Sequence, residues 1–378
     1  MKLVHLSDLH LGKRINEFSM TEDQKYILWE ICRIIEEEKP DGVIIAGDVY
    51  DKSVPSAEAV TLLDEFLVRL ARLGQEVFMI SGNHDSAERI AFGSRLIDAS
   101  GIHLSPVYSG EITPCTLRKG GEEVKIWMLP FIKPADVRRL FPEEEIPDYT
   151  AAVRTVIQHM QINPEEQNIL AAHQFVTGAV RSESEDVSVG GLDNVNASVF
   201  DVFDYVALGH IHGPQHIGRE TIRYCGTPLK YSFSEKDHVK SVTVVTMGGK
   251  GDAEIRTIPL KPRHDMREIK GKYHELILNE SYEGTATDDY LHVILEDEND
   301  VPDALNNLRM VYPNIMKLDY DNERTRASSE IGSADGILKK SGPELFDEFY
   351  TIQNGLPMTE EQREYVQALL EKLEEEKA

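Results

Sequence analysis

ISGNHDSAER, residues 80–89, ends an apolar run with a glycine, an amide, an imidazole and a carboxylate in succession. A turn at this point needs the glycine and at most the asparagine. The histidine and aspartate exceed what chain reversal requires. The same arrangement recurs along the chain. HLSDLHLG places Asp8 and His10 after KLVHL, IIAGDVYDKS places Asp48 and Asp51 after an apolar run, LAAHQF carries His173, and ALGHIHGP carries His210 and His212. Short apolar runs of this length read as buried strands. KLVHL, DGVIIAGD, EVFMISGN, VKIWMLPF, NILAAHQF, DYVALGHIH, TIRYCGTP and SVTVVTM are such runs. Between the first three, Tyr26, Ile27, Ile31, Ile34 and Ile35 keep helical spacing up to Pro40, and AEAVTLLDEFLVRLARLG reads as a helix ending on Gly74. Strands alternating with helices predict an α/β fold whose polar clusters sit past strand ends, where such folds carry ligands. The later strands have no helix between them, which predicts a mixed sheet or a sandwich.

The 378 residues suffice for a large core and one or two appendages. No apolar run approaches membrane-spanning length, and MKLVHLSDLHLGKR lacks the long apolar region of a signal peptide. Cys32, Cys115 and Cys225 are odd in number, far apart and in no metal-like spacing, so a reducing cytoplasm is expected. The net charge of −26 argues by itself against a nucleic-acid binder. Bound divalent cations offset that locally, and the acid is concentrated in helix surfaces, in LEDEND and in the tail EKLEEEKA.

Near PLKPRHDMREIKG the pattern changes. YLHVILED alternates with period two, VPDALNNLRMVYP reads as a short helix and NIMKLDYD as a strand. The expected division is 1–262 for the main domain, 263–332 for a small α/β domain and 333–378 for a linker and helical segment. ASSEIGSADG is the small, polar linker stretch. Two helices, PELFDEFYTIQNG and TEEQREYVQALLEKLEEE, follow it, the second with Thr359 and Gln362 at capping-box spacing.

Asp8 and His10 are two residues apart, as are His210 and His212, so in extended geometry each pair projects to one side. Carboxylate, imidazole and amide donors without a thiolate suit Mn²⁺, Fe or Zn²⁺. There are too many donors for one ion, and a carboxylate shared between two cations is how a two-metal phosphoesterase site is built.

D-x-H, GD-x-x-D, GNHD, a solitary histidine after a strand and GH-x-H, in this order, resemble the calcineurin-like metallophosphoesterases. HLSDLHLGKRINEFSMTEDQ, GNHDSAERIAFGSRL, DYVALGHIHGPQ and RYCGTPLKYSFSEKDH extend the resemblance to the bacterial double-strand-break repair nucleases over most of residues 1–245. The resemblance implies a four-layer sandwich, two mixed β-sheets flanked by helices, with a capping, DNA-binding domain and a C-terminal helical partner-binding segment. It implies Asp8, His10, Asp48 and His212 around one metal, and Asp48, Asn83, His173 and His210 around the other, with Mn²⁺ the expected ion in both and Asp48 bridging. His84 would stand near the scissile phosphate, with Asp51 orienting or polarising it, while Asp85 holds the turn.

The activity implied is hydrolysis of DNA phosphodiesters, 3′-to-5′ exonuclease on duplexes and endonuclease on single strands and hairpins, in DNA repair, recombination and replication. The implied partner is the ATPase SbcC, docked on the C-terminal helices, with a homodimer inside a heterotetramer. Leu345, Phe346, Phe349, Tyr350 and Ile352, then Tyr365, Val366, Leu369, Leu370 and Leu373, form the apolar stripes that would dock. Helix 58–73 is a candidate dimer surface, its apolar face serving equally well as intramolecular core. Lys13, Arg14, Lys52, Arg89 and Arg95 surround the motif loops as candidate phosphate contacts, and Arg256, Lys261, Arg263, Arg267, Lys270 and Lys272 form a second basic group. His216 is a candidate outer contact of the GHIH cluster, and alternation in YLHVILED predicts a solvent face for His292. The competing reading of the same site is a phosphoesterase for small molecules or phosphoproteins.

Overall fold

The apolar runs are strands, and their order in two sheets explains why their polar ends meet. The computed structural model describes residues 1–185 and 193–323, then 325–326, 346–347, 350–351, 357–360, 362–363, 365–366 and 369. It divides into two units, Met1–Met266 and Arg267–Ala378.

In the first unit β1 (Lys2–Leu6) leads through a small hairpin, β2 (Arg14–Ile15) and β3 (Phe18–Ser19), into α1 (Thr21–Glu38) and β4 (Gly42–Ala46). Then come α2 (Ala57–Arg72), β5 (Glu76–Ile80), the short α3 (Ala87–Ile90) and α4 (Ser94–Ile97), and β6 (Ile102–Leu104). The chain continues through β7 (Cys115–Lys119), β8 (Glu122–Leu129), α5 (Pro134–Leu140), α6 (Tyr149–His159), β9 (Asn168–His173) and β10 (Tyr205–Gly209). It ends with β11 (Gln215–Ile217), β12 (Arg219–Tyr224), β13 (Ser241–Met247) and β14 (Ala253–Pro259).

One six-stranded sheet runs β14-β13-β1-β4-β5-β6 and the other β11-β12-β10-β9-β8-β7. β1, β4, β5 and β6 are parallel, as are β8, β9, β10 and β12, while β13, β14, β7 and β11 run antiparallel to their neighbours. Both sheets are therefore mixed, as the helix-free run of late strands predicts.

Side-chain alternation builds the layers. Leu3, Ile44, Phe78 and Ile80 of the first sheet meet Ile126, Met128, Ile169, Ala171 and Tyr205 of the second in one buried cluster. Val43, Ile45, Val77 and Met79 point the other way and are equally buried; α2 packs on β5, and α1 on α2. The outer face of the second sheet packs Leu129, Leu170 and Val206 against Val153 and Val156 of α6. Strands covered on both faces read as continuous apolar runs, and each such side chain is worth roughly 1.5–3 kcal/mol of transfer free energy. α2 starts on Ser56, whose side chain accepts from the Ala59 N–H. It stops at Gly74, which takes the left-handed conformation (φ 72°) that a helix end uses.

The second unit carries a three-stranded sheet of β15 (Met266–Gly271), β16 (Tyr290–Leu295) and β17 (Ile315–Tyr320). Short helices α7 (Tyr273–Leu276), α8 (Asn279–Tyr282) and α9 (Ala304–Arg309) accompany it. Leu291, Val293, Leu295, Leu308, Tyr312 and Ile315 form its core. His292 corrects the sequence reading: it is 8% exposed, with Nε2 2.8 Å from Asp319 Oδ2 and Nδ1 3.5 Å from Glu268 Oε2. The alternation is right, but β16 is the central strand, and acidic side chains of both neighbours close over its second face. Thr359 and Gln362 form the expected capping box, each backbone N–H donating to the other's side chain (2.9 and 3.3 Å). The linker stretch and Leu345, Phe349, Ile352, Leu370 and Leu373 lie outside the described residues. No helix among the described residues is long and apolar enough to cross a membrane.

Candidate metal centre

Five parallel strands, β1, β4 and β5 of one sheet and β9 and β10 of the other, deliver their C-terminal ends to one place. Asp8 and His10 follow β1, Asp48 follows β4, Asn83 and His84 follow β5, His173 ends β9, and His210 and His212 follow β10. The chain leaves these strands sharply: Asp8 (φ 52°), His10 (φ 44°), Asp48 (φ 46°) and His210 (φ 102°) all occupy the left-handed region. Non-glycine residues there are strained, and such strain concentrates at functional sites. Two glycines make room for the approach. A Cβ on Gly82 would overlap the Asp48 carboxylate, and one on Gly209 the Ala46 carbonyl and the His173 ring. The glycines of GNHD and GHIH are thus required by crowding from the neighbouring strand, more than by their own turns.

Asp48 sits at the centre. Its Oδ2 lies 3.3 Å from His173 Nε2, 3.7 Å from His10 Nε2 and 3.9 Å from His84 Nε2, and its Oδ1 accepts the His84 N–H at 2.9 Å. On one side His10 Nε2 and His212 Nε2 face each other at 3.2 Å. Asp8 beside them is held by Ser7 Oγ–H and by the His210 N–H (3.0 and 3.2 Å to its two oxygens). On the other side Asn83 Oδ1 lies 3.0 Å from His173 Nε2 and 2.8 Å from His210 Nδ1. His173 Nδ1–H donates to the Ala46 carbonyl at 2.8 Å, which turns Nε2 toward Asp48.

All of these side chains are buried except those of Asn83 and His84, which are partly exposed. Burial pushes the Asp8 carboxyl up to about 6, with His173 opposing and Asp48 adding to the rise. Burial works against Asp48 as well, yet the His173, His10 and His84 rings hold it well below the usual carboxylate range. For His173 burial is overcome by Asp48, and the ring rises to about 9. Burial depresses His10 well below the usual imidazole value and His210 to about 3.

Two buried carboxylates, four buried imidazoles and an amide oxygen therefore converge with little charge of their own to balance them. Ligands held about 2.1 Å from an ion stand roughly 3 Å apart, which matches the separations of facing donor atoms here. Asp8, His10 and His212, and Asp8, Asp48 and His173, each offer ligand atoms within 4.8 Å of one another. The donor set fits divalent cations.

His84 is at the rim, its side chain 21% exposed and its ring edge-on to His10 (centroids 4.9 Å apart). Its Nδ1 is 3.2 Å from the Asp51 carbonyl oxygen. The Asp51 carboxylate instead accepts from Lys13 Nζ at 2.8 Å and lies 3.8 Å from His10 Nδ1. Asp85 spans the loops, accepting from the N–H groups of Val49 (3.0 Å), Tyr50 (2.9 Å) and Gly82 (2.9 Å). Lys13 is turned inward, whereas Arg14, Lys52, Arg89 and Arg95 are exposed. In the second basic group Arg256 pairs with Glu38, Arg267 with Asp289 and Lys270 with Asp321, while Lys261, Arg263 and Lys272 are at least as open. His216 is exposed and paired with Glu220 at 3.4 Å, away from the outer contacts of His212.

Those outer contacts are Ser184, Glu185, Glu235 and Lys240, which the sequence reading does not single out. Ser184 Oγ lies 2.6 Å from His212 Nδ1 and donates to Glu235, and Glu185 accepts the His212 N–H at 2.6 Å. Of the four, only Glu235 falls in a stretch quoted from the sequence, RYCGTPLKYSFSEKDH, and nothing there marks it as a partner of His212.

The family described as calcineurin-like phosphoesterase matches residues 1–214, and that described as type 5 capsule protein repressor C-terminal domain matches residues 262–354. Among curated proteins, the SbcD subunit of the nuclease SbcCD from Staphylococcus epidermidis is 32% identical over 377 residues, 98% of each chain. Among solved structures, a dimetal phosphatase from Danio rerio is 12% identical with a TM-score of 0.35, covering 69% of this chain and 99% of its own. A Thermus thermophilus protein is 12% identical with a TM-score of 0.37, covering 68% and 98%.

Proposed function

Because the chain belongs to the calcineurin-like phosphoesterases and, along nearly its whole length, to the family of SbcD nuclease subunits, we propose that it is a metal-dependent DNA nuclease subunit. It would act as a 3′-to-5′ exonuclease on duplex ends and an endonuclease on single strands and hairpins. The observation that carries the reading is the meeting of seven ligand-type side chains from five strand ends beside one partly exposed imidazole.

Asp8, His10, Asp48 and His212 would hold one cation and Asp48, Asn83, His173 and His210 the other, with Mn²⁺ the preferred ion. Bound there, the cations would supply a nucleophile from water at neutral pH and neutralise charge on the phosphoryl oxygens. The chain's own residues do the rest. The Asp51 carbonyl accepts from His84 Nδ1–H and so aims Nε2 inward, where a protonated ring stabilises the transition state or protonates the departing 3′ oxygen. Lys13 neutralises Asp51 and keeps its carboxylate from the substrate phosphate. Arg14, Lys52, Arg89 and Arg95 remain to contact the DNA backbone.

The test is Mn²⁺-dependent cleavage of end-labelled duplex and hairpin DNA, run beside bis-p-nitrophenyl phosphate. Cleavage of both DNA substrates is the expected result. If the small ester were cleaved while every DNA stayed intact, even with SbcC and ATP, the nuclease reading would be wrong and a small-substrate phosphoesterase would replace it.

The tail of the second unit would bind the SbcC ATPase. Phe346, Tyr350, Met358, Tyr365 and Val366 line one cleft there, with Tyr365 70% and Leu369 48% exposed. For the homodimer the outer helical layer of the first sheet is the surface. Right-handed crossovers between β1, β4, β5 and β6 put α1, α2 and the α3–α4 pair on one face. That layer exposes Val60 (46%), Phe92 (85%) and Leu96 (85%), far more apolar surface than a lone helix pair needs to leave open. Leu96→Asp should convert a dimer to a monomer in sedimentation velocity, with hydrolysis of the small ester unchanged per chain. A dimer that persists would move the interface elsewhere.

A further inference from the structure

His212 is gripped at every polar atom that does not face the site. Its N–H donates to Glu185 Oε1 at 2.6 Å, and its carbonyl accepts from Lys240 Nζ at 2.9 Å and from the Thr227 N–H at 3.2 Å. Its Nδ1–H donates to Ser184 Oγ at 2.6 Å, and the Ser184 hydroxyl donates in turn to Glu235 Oε1. Glu235 is fully buried and Lys240 is 5% exposed; the two are paired, and Lys240 also donates to Thr227 Oγ1 at 2.7 Å. Taking two charges out of water costs several kcal/mol per ion, so such a pair adds little stability by itself. His10 has nothing comparable: its Nδ1 has no hydrogen-bond partner among the described residues.

We infer that Glu235, seated on Lys240 and acting through Ser184, is the positioning residue that fixes the His212 ring as a metal ligand. With Nδ1 committed as donor, His212 has one tautomer, and its Nε2 lone pair faces the site opposite His10. The inference rests on the two-metal reading above and goes beyond it, because it makes one of the two positions depend on groups that touch neither cation nor substrate.

The experiment is calorimetric titration of the full chain with Mn²⁺, with thermal melting of the metal-free protein alongside. Wild type should take up two ions. Glu235→Gln should weaken one of them by about 10- to 100-fold, the usual cost of losing an outer-shell partner, and leave the other unchanged. Ser184→Ala keeps the Glu235–Lys240 pair intact and should weaken the same ion, while Ser184→Thr restores it. If Glu235→Gln bound both ions with wild-type affinity, or only melted lower without weakening either, the inference would be overturned and the pair would be structural. Wild type taking up fewer than two ions would overturn the two-metal reading and this inference with it.

Discussion

Replacing His84 with alanine should cut DNA cleavage by about 10²- to 10⁴-fold, the range a positioned proton donor supplies, while Mn²⁺ uptake stays at two ions. The side chain is partly exposed and lies edge-on to His10, so its removal leaves no buried cavity and melting should barely move. The metal titration is the discriminating half of the experiment. His10, Asp48 and His84 also bring ligand atoms within 4.8 Å of one another. If His84 were a ligand, the variant would lose a cation together with its activity; full uptake with failed turnover assigns the ring to the substrate.

The second large effect is expected at Asp48. Asn keeps an oxygen for the His84 N–H but removes the charge that both groups of ligands share. Asp48→Asn should lose measurable affinity at both positions, beyond the roughly 10- to 100-fold of an outer-shell change, and cleavage should fall to background. Burial would then weigh more heavily against the charged form of His173, since Asp48 is the main group holding that ring up, with Asp8 and the Ala46 carbonyl adding less. Stability supplies an independent readout. An ion at about 100 times its dissociation constant adds about 2.7 kcal/mol per site, worth on the order of 3–5 °C per site in a chain of this size. Wild type should show that rise on adding Mn²⁺ and Asp48→Asn should not. A variant that retained the full rise would show that Asp48 bridges nothing.

What could be read from the amino acids follows the physics of burial. β1, β4, β5, β9 and β10 are covered on both faces, so they stand out as unbroken apolar runs, and the donors at their ends stand out by contrast. β7 and β14 lie at sheet edges and are partly exposed along their length, and β6 has three residues; none carries an apolar run strong enough to separate from a loop. Ser184 and Glu235 were invisible for another reason. A serine in a polar loop and a glutamate in SEKDH look solvated, and only packing 28 and 51 residues away in the chain makes one a relay and the other a buried anion. His292 shows the reverse: local alternation was right, and the flanking strands decided the exposure.

Asp8 meets the His210 backbone, and His10 meets His212, across 202 residues of chain. During synthesis the first of the proposed ligands therefore leave the ribosome long before the last, by about 10 to 40 s at roughly 5–20 residues per second. Throughout that interval the nascent chain holds an incomplete donor set and no means of cutting the nucleic acid around it. On the proposed ligand assignment, a phosphodiester hydrolase of this build stays inactive while it is being made, and a translation product truncated before β10 never gains the site.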